Sequence, residues 1–303
     1  MSAPTPEDVN MGAWKISDFI QRNRPFLIGR HGTIEIETLF FWLTMRRGSP
    51  PHREYPARIV HQIQCNAGVF PATDSSIDGW CEAYVKALRE LDGGAAGWYK
   101  PTAATENTFL TQYAPHSFRV PLRSLEPYYV SPKYRWTQHL AGKRVAVVSS
   151  FADTIMKQVW GEKTSQIWRG AQEGLLSGLT DVNWTFIRTG YAPITAIGRA
   201  EWPPEVGNWE EAVDHVVRRV QANQADIALI GCGGLGMVIA GRLKALGISS
   251  IVLGGAIQVL FGIRGRRWER HEVISKFWND AWVWPAADEI PGGANMVEGG
   301  CYW

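Results

Sequence analysis

The sequence is poor in the features that mark disulfide-rich, zinc-binding and membrane-spanning proteins. Its 303 residues include four cysteines, which lie far apart and form no CxxC pair: Cys65, Cys81, Cys232 and Cys301. That spacing argues against a zinc site or a disulfide framework and fits a reducing compartment. No apolar run approaches the length of a membrane span, and the first residues lack the basic start and apolar core of a signal peptide. We therefore expect a cytoplasmic protein without an integral membrane segment.

Strong charge of either sign is also missing. The net charge is +2, so no strong field favours nucleic acid or an anionic membrane as a partner. With 45% hydrophobic and 20% charged residues, the composition is that of a soluble globular protein with a sizeable core. The 15 tryptophans are abundant. Their rigid planes serve protein cores, and they also stack on sugar rings.

Residues 225 to 268 contain the clearest strand and the most glycine-rich turn of the chain. The apolar run 227–230 predicts a buried strand, and residues 237–246 predict the helix that follows it. A second short strand is predicted at 251–253. Glycines follow both strands and leave backbone N–H groups bare near a helix start, where an anion is favoured: Gly231, Gly233, Gly234, Gly254 and Gly255. These turns predict a nucleotide or sugar-phosphate contact, unless the glycines only permit tight packing of helix on strand.

The pattern Gly231-x-Gly233-x-x-Gly236 formally matches the dinucleotide-binding fingerprint. Two features argue against NAD. The acidic residue expected about 20 positions on, to hold a ribose hydroxyl, falls near Leu253 and Gly254. The turn also follows a late strand, whereas the fingerprint normally follows the first. A redox cofactor is therefore the weaker interpretation.

A second informative turn lies near the start of the chain, between a short strand at 26–29 and a helix at 34–47. Glu35 falls in the first turn of that helix, just beyond the carboxyl end of the strand, where open α/β sheets bind ligands. Its carboxylate could accept a proton or ligate a metal, and Arg30 and His31 could grip an anion. The alternative is that Glu35 only stabilises the helix dipole, an effect of about 0.3–1 kcal/mol.

From residue 143 onward, strands alternate with helices. We predict strands at 144–149 and 184–188 and helices at 152–160 and 209–222. This rhythm predicts an α/β fold with a Rossmann-like, doubly wound, mainly parallel sheet and helices on both faces, to which residues 13–140 add helical and irregular parts. Ser149, Asp153 and Arg188 follow strand ends and should face the ligand edge.

For the domain organisation, we expect a flexible tail over residues 1–12 and one domain over 13–303, with parts 13–140 and 141–303. A short helix is predicted near 273–278. The C-terminal residues are too apolar for a floppy end and should pack back on the body. The basic cluster Arg264, Arg266 and Arg267 is either a solvated face or a phosphate-binding group.

Two stretches, FLIGRHGTIEIE and LGGAIQVLFGIRGRRW, together with the terminal CYW, resemble the GT-D-fold glycosyltransferases, including relatives from bacterial surface-polysaccharide and large-virus gene sets. The resemblance implies a Rossmann-like core that binds a nucleotide sugar, typically a UDP-sugar, often with Mn²⁺. The early motif of that family reads Arg-aromatic-Gly-Asp-x-Glu. Arg30, Gly32 and Glu35 match it, whereas His31 replaces the aromatic residue and Thr33 stands where the Asp would be. Half of the carboxylate pair is thus absent, which weakens the expectation of bound Mn²⁺ or Mg²⁺.

The resemblance implies direct transfer of a sugar from the nucleotide to a glycan or glycoprotein acceptor. Glu35 would be the base or a remaining metal ligand, and Asp153 is the second candidate for a catalytic carboxylate. Contacts to the nucleotide sugar are expected from the five turn glycines and from Arg30, His31, Gly32, Thr33, Ser149, Arg188, Gln258, Arg264, Arg266 and Arg267. Two other functions stay open: a Rossmann-type enzyme that uses NAD or S-adenosylmethionine, and a non-catalytic protein that binds a nucleotide sugar. A homo-oligomer is compatible with the sequence.

Overall fold

The computed structural model describes residues 3–47, 53–95, 97–161, 164–169, 175 and 179–303. Seven strands within these ranges form one sheet, and every neighbouring pair in it is parallel. The strands are β1 Leu27–Arg30, β2 Gly93–Ala95, β3 Phe118–Val120, β4 Arg144–Ser149, β5 Asn183–Arg188, β6 Ile227–Gly231 and β7 Ser249–Val252. Their order in the sheet is β3-β2-β1-β7-β6-β4-β5. The predicted α/β fold with a parallel, doubly wound sheet is confirmed.

The described helices pack on both faces of this sheet. They are α1 Pro6–Gln21, α2 Thr33–Phe41, α3 Ala57–Cys65, α4 Asp74–Arg89, α5 Lys100–Tyr113, α6 Ala152–Trp160, α7 Thr164–Ile167, α8 Pro193–Ala196, α9 Trp209–Ala222, α10 Gly236–Ala245 and α11 Ala256–Leu260. Alternate residues of a strand enter different cores, because successive side chains point to opposite faces. Ala146 and Val148 join the core with α4, α9 and α10, while Val145 and Val147 join the core with α1 and α11. None of the described helices is long and apolar enough to cross a membrane.

The N-terminal residues differ from the prediction. Residues 6–12 are not a flexible tail, because they form the first turns of α1. Thr5 caps the helix: its hydroxyl accepts from the Asp8 N–H (3.2 Å), and the Asp8 carboxylate accepts from the Thr5 N–H (2.8 Å). Val9 and Ala13 are buried against the sheet. Residues 1 and 2 lie outside the described part of the chain.

Two further elements depart from the sequence interpretation. The helix predicted over 34–47 is α-helical only to Phe41 and continues as one π-helical turn, Trp42–Arg46. The helix expected near 273–278 is a single 3-10 turn, Ile274–Phe277. The C-terminal residues do pack back on the body as predicted, since Val297 and Trp303 are buried. That packing brings the end of the chain to the carboxyl edge of the sheet.

Candidate functional site

A cavity of about 550 Å³ opens at the carboxyl ends of the four central strands, β1, β7, β6 and β4. This is the edge at which doubly wound sheets bind ligands. Strands from both parts of the chain meet here, because β1 pairs with β7. Eleven of the predicted site residues line the cavity: Arg30, Gly32, Thr33, Glu35, Ser149, Gly231, Gly233, Gly254, Gly255, Gln258 and Arg267.

The guanidinium of Arg30 has no ion-pair partner in the described residues. It lies over the ring of Trp98, 4.6 Å from the centroid, and the Trp98 indole N–H donates to the backbone carbonyl of His31 (3.2 Å). The turn after β7 passes close by, since a Cβ added to Gly254 would lie 3.5 Å from Arg30 Nε. The stacked ring therefore fixes a positive charge at the cavity wall and leaves its N–H groups for another partner.

Glu35 lies in the first turn of α2, and only 8% of the residue is exposed. Two glycines make room for its carboxylate: a Cβ on Gly32 would overlap it, and one on Gly234 would lie 3.4 Å from Oε1. Burial raises the pKa of the Glu35 carboxyl above its usual range, and the nearby Glu298 adds to that effect; its own backbone N–H and Arg30 act in the opposite direction. Glu35 thus takes up a proton at a higher pH than an ordinary glutamate.

Arg267 is the second guanidinium of the cavity. It lies 4.9 Å from the ring centroid of Tyr302, and a Cβ on Gly255 would be 3.7 Å from its Nη1. The carboxylate of Glu298 is 3.5 Å from the same nitrogen. The sequence analysis assigned no role to Glu298. It predicted only that the apolar C-terminal residues pack back on the body, and this packing brings Glu298 and Tyr302 to the cavity.

The glycines at the end of β6 and just after it permit close packing. The Gly234 N–H donates to the carbonyl of Ala67 (2.8 Å), and its own carbonyl accepts from the Trp80 indole N–H (3.1 Å). A Cβ on Gly231 would lie 2.5 Å from Ile257 Cγ2. The Gly234 N–H is therefore not available to a phosphate. Gly231 and Gly233 still border the cavity.

The structure does not bring Asp153 and Arg188 to the cavity. They pair with each other (2.7 Å), and Arg188 also pairs with Asp288 (2.7 Å). The buried carboxylate of Glu289 occupies the N-terminus of α6, where it accepts from the N–H groups of Asp153 (2.9 Å) and Thr154 (3.0 Å). The carboxylate of Asp153 is thus neutralised by Arg188 outside the cavity, and the start of α6 is already filled.

Two arginines of the basic cluster also lie outside the cavity. Arg264 donates to the carbonyl of Asn279 (2.8 Å) and stacks on Trp278. Arg266 is exposed on a short 3-10 turn. Of the cluster, only Arg267 borders the cavity.

His31 lies behind the cavity wall rather than in it. Only 1% of the residue is exposed, and its Nδ1 is 3.1 Å from the hydroxyl of Tyr84, which does border the cavity. Burial, with smaller contributions from Arg119 and Arg30, lowers the pKa of His31 to about 3. His31 is therefore neutral near pH 7, and it is not placed to grip an anion as the sequence suggested.

No family model matches the chain, and no curated protein does. Among solved structures, the chain is similar to one described as a selenomethionine-substituted domain of unknown function 1792. The two share 12% identity over 82% of each chain, with a TM-score of 0.43. A likeness this slight carries no argument about the fold or the site.

The buried His31 makes a prediction about stability and pH. Below pH 6.5 the unfolded chain binds a proton on His31 that the folded chain does not bind. The free energy of unfolding is therefore unaffected by protonation of His31 above pH 6.5 and decreases as the pH falls from 6.5 toward 3. Between pH 7 and pH 5, the wild type should lose about 2 kcal/mol more of its free energy of unfolding than His31→Phe does. Denaturant titrations at both pH values measure this difference. The exposed His116→Phe serves as control and should follow the wild type; equal losses in wild type and His31→Phe would contradict the buried, neutral state.

Proposed function

We propose that the protein is a glycosyltransferase that transfers a sugar from a nucleotide sugar, with a UDP-sugar as the first candidate, to a hydroxyl group of a glycan or glycoprotein. The observation that carries this proposal is that one cavity holds both a guanidinium without an ion-pair partner among the described residues, Arg30, and a buried carboxyl with a raised pKa, Glu35. The first suits the leaving diphosphate, and the second suits the acceptor hydroxyl.

The leaving group needs positive charge that is in place before the reaction. When the bond between the sugar C1 and the phosphate oxygen breaks, its electron pair leaves with the nucleoside diphosphate, and negative charge grows on the phosphate oxygens. Donors already aimed at that position stabilise the transition state most. Arg30 and Arg267 are both held against aromatic rings, Trp98 and Tyr302, so their orientation is fixed before the ligand enters.

The acceptor needs a base. As the acceptor oxygen forms its bond to C1, its proton passes to the carboxylate of Glu35, whose pKa is raised by burial. A base with a pKa raised toward the working pH accepts this proton more effectively than an ordinary glutamate does. The volume of about 550 Å³ lies within the usual range for small-molecule sites, and Trp98, Tyr99 and Tyr302 give its wall aromatic planes on which rings stack.

We propose that a divalent cation, Mn²⁺ or Mg²⁺, enters with the nucleotide sugar rather than before it. No group of three or more His, Cys, Asp or Glu side chains within the described ranges is arranged to hold a metal. Three residues of α2 border the cavity with side-chain oxygens, Thr33, Glu35 and Glu37, and of these Thr33 and Glu35 would meet such an ion. Ions of this kind accept one or two carboxylates when phosphate oxygens and water complete the shell. The ion would neutralise part of the charge of the diphosphate.

A thermal-shift comparison tests the class of ligand. UDP or a UDP-sugar, with and without Mn²⁺, should raise the melting temperature more than NAD or S-adenosylmethionine does. At a ligand concentration 100-fold above its Kd, the gain should be about 2.7 kcal/mol, or several degrees. A shift with NAD and none with any uridine nucleotide would contradict the proposal and favour a redox enzyme.

Replacing the candidate base tests the mechanism. In Glu35→Gln, the melting temperature should hold because the amide is nearly isosteric, while kcat for sugar transfer should fall by about 100-fold or more. In the wild type, kcat should fall as the pH decreases through the raised pKa of Glu35, because the base must be ionised. Asp153→Asn, which removes a carboxylate outside the cavity, is the matched control and should keep most of the activity. Normal turnover in a folded Glu35→Gln protein would exclude Glu35 as the base.

A further inference from the structure

Glu298 has an unusual backbone conformation at the edge of the cavity. Its φ angle is +47°, and Gly299 and Gly300 follow with φ angles of +68° and +74°. L-residues rarely adopt this left-handed region, so a glutamate there is held by its surroundings. The Glu298 N–H donates to Oδ1 of Asn66, the residue after α3 (3.1 Å). The C-terminal segment is therefore fastened to a distant part of the cavity wall at this residue.

The carboxylate of Glu298 is held on Arg267. The distance to Nη1 is 3.5 Å, and about a third of each side chain is exposed (38% for Arg267 and 35% for Glu298). The thiol of Cys301 donates to the same carboxylate (3.6 Å). A carboxylate that meets a guanidinium takes a position that a phosphate oxygen also takes. Arg267 lies beside Gly255, on the cavity wall that also presents the unpaired Arg30.

We propose that Glu298 is an internal competitor: in the free protein it holds the position on Arg267 that a phosphate group of the ligand takes, and the bound diphosphate displaces it. The inference rests on the proposed function in that the natural ligand is a nucleoside diphosphate sugar. The anion position itself follows from the contacts of Arg267 and Glu298.

Charge explains why the two anions exclude each other. A diphosphate on Arg30 and Arg267 would bring at least two negative charges beside Glu298 and Glu35, with two arginines to balance them. Leaving Glu298 in place would put like charges next to each other, which costs free energy. The Glu298 side chain is about a third exposed and can turn away from Arg267 while its backbone N–H stays on Asn66, so the carboxylate can leave without disturbing the strands.

The same arrangement links Glu298 to Glu35 electrostatically. The charge of Glu298 raises the pKa of Glu35. When the diphosphate displaces Glu298, this contribution from Glu298 weakens. In Glu298→Gln, where the contribution is absent, the acid side of the pH profile of kcat/KM should move to lower pH, because kcat/KM reports the pKa values of the free protein. A purely structural role of Glu298 would not move the profile.

The test is calorimetric binding of two probes, UDP and inorganic pyrophosphate, at low salt. Glu298→Gln should bind both about fivefold more tightly than the wild type, and the gain should shrink at high salt. Glu269→Gln, which removes an exposed carboxylate near Arg267 in the sequence, should bind as the wild type does. In an Arg267→Met background, Glu298→Gln should no longer improve binding, because the competition is for Arg267.

The outcomes separate this inference from the proposed function. Tighter binding of pyrophosphate to Glu298→Gln, without binding of UDP to any variant, would support the competitor and contradict the nucleotide sugar. Unchanged or weaker binding of pyrophosphate to a folded Glu298→Gln protein would overturn the competitor. An improvement that persists in the Arg267→Met background would also overturn it, since the effect would then be one of overall charge.

Discussion

Stacking of Arg30 on Trp98 holds a positive charge at the end of β1, where no ion-pair partner lies within the described part of the chain, and the rest of the site is arranged around that charge. Burial raises the pKa of three carboxyls near it, Glu35, Glu106 and Glu126, the last to about 7, and Arg30 acts against burial in each case. None of the three forms an ion pair with Arg30. The carboxyls compensate the guanidinium only at a distance, so its N–H groups stay open to a ligand.

Arg267, the second guanidinium of the cavity, differs from Arg30 because it has an ion-pair partner, Glu298. Like Arg30, it is held against an aromatic ring, that of Tyr302. A ligand with two phosphate groups would therefore meet one free arginine and one that must change its partner. Binding at this cavity is in part an exchange of anions, and its strength depends on salt as well as on shape.

The sequence predicted those residues of the site whose position follows from a neighbouring strand in the chain. Arg30 and Glu35 were found because they lie at and just after the end of the strand β1, and ligands bind where parallel strands end. Asp153 and Arg188 satisfied the same rule and yet pair with each other outside the cavity. The start of α6 is filled by Glu289, which lies 136 residues further along the chain from Asp153. No local pattern contains that contact.

Residues brought in by tertiary packing were out of reach of sequence reasoning. Trp98 comes from the segment after β2, a three-residue strand that the sequence analysis did not predict, and Glu298 comes from the C-terminal segment. Neither residue therefore followed a predicted strand or motif. The first turns of α1 were missed for a local reason. Its capping residues Thr5 and Asp8 stand among prolines, and most of the apolar positions that α1 buries, Ala13, Ile16 and Ile20, lie beyond residue 12.

Binding of UDP to Arg30→Met, measured by calorimetry, tests the central claim most directly. Arg22→Met is the matched control, because Arg22 also lies over an aromatic ring, that of Phe19, but does not border the cavity. A charge-assisted contact contributes about 1.5–3 kcal/mol, so Arg30→Met should weaken UDP binding by about tenfold or more and reduce its salt dependence, while Arg22→Met should leave both unchanged. Equal affinity in the wild type and a folded Arg30→Met protein would contradict the account.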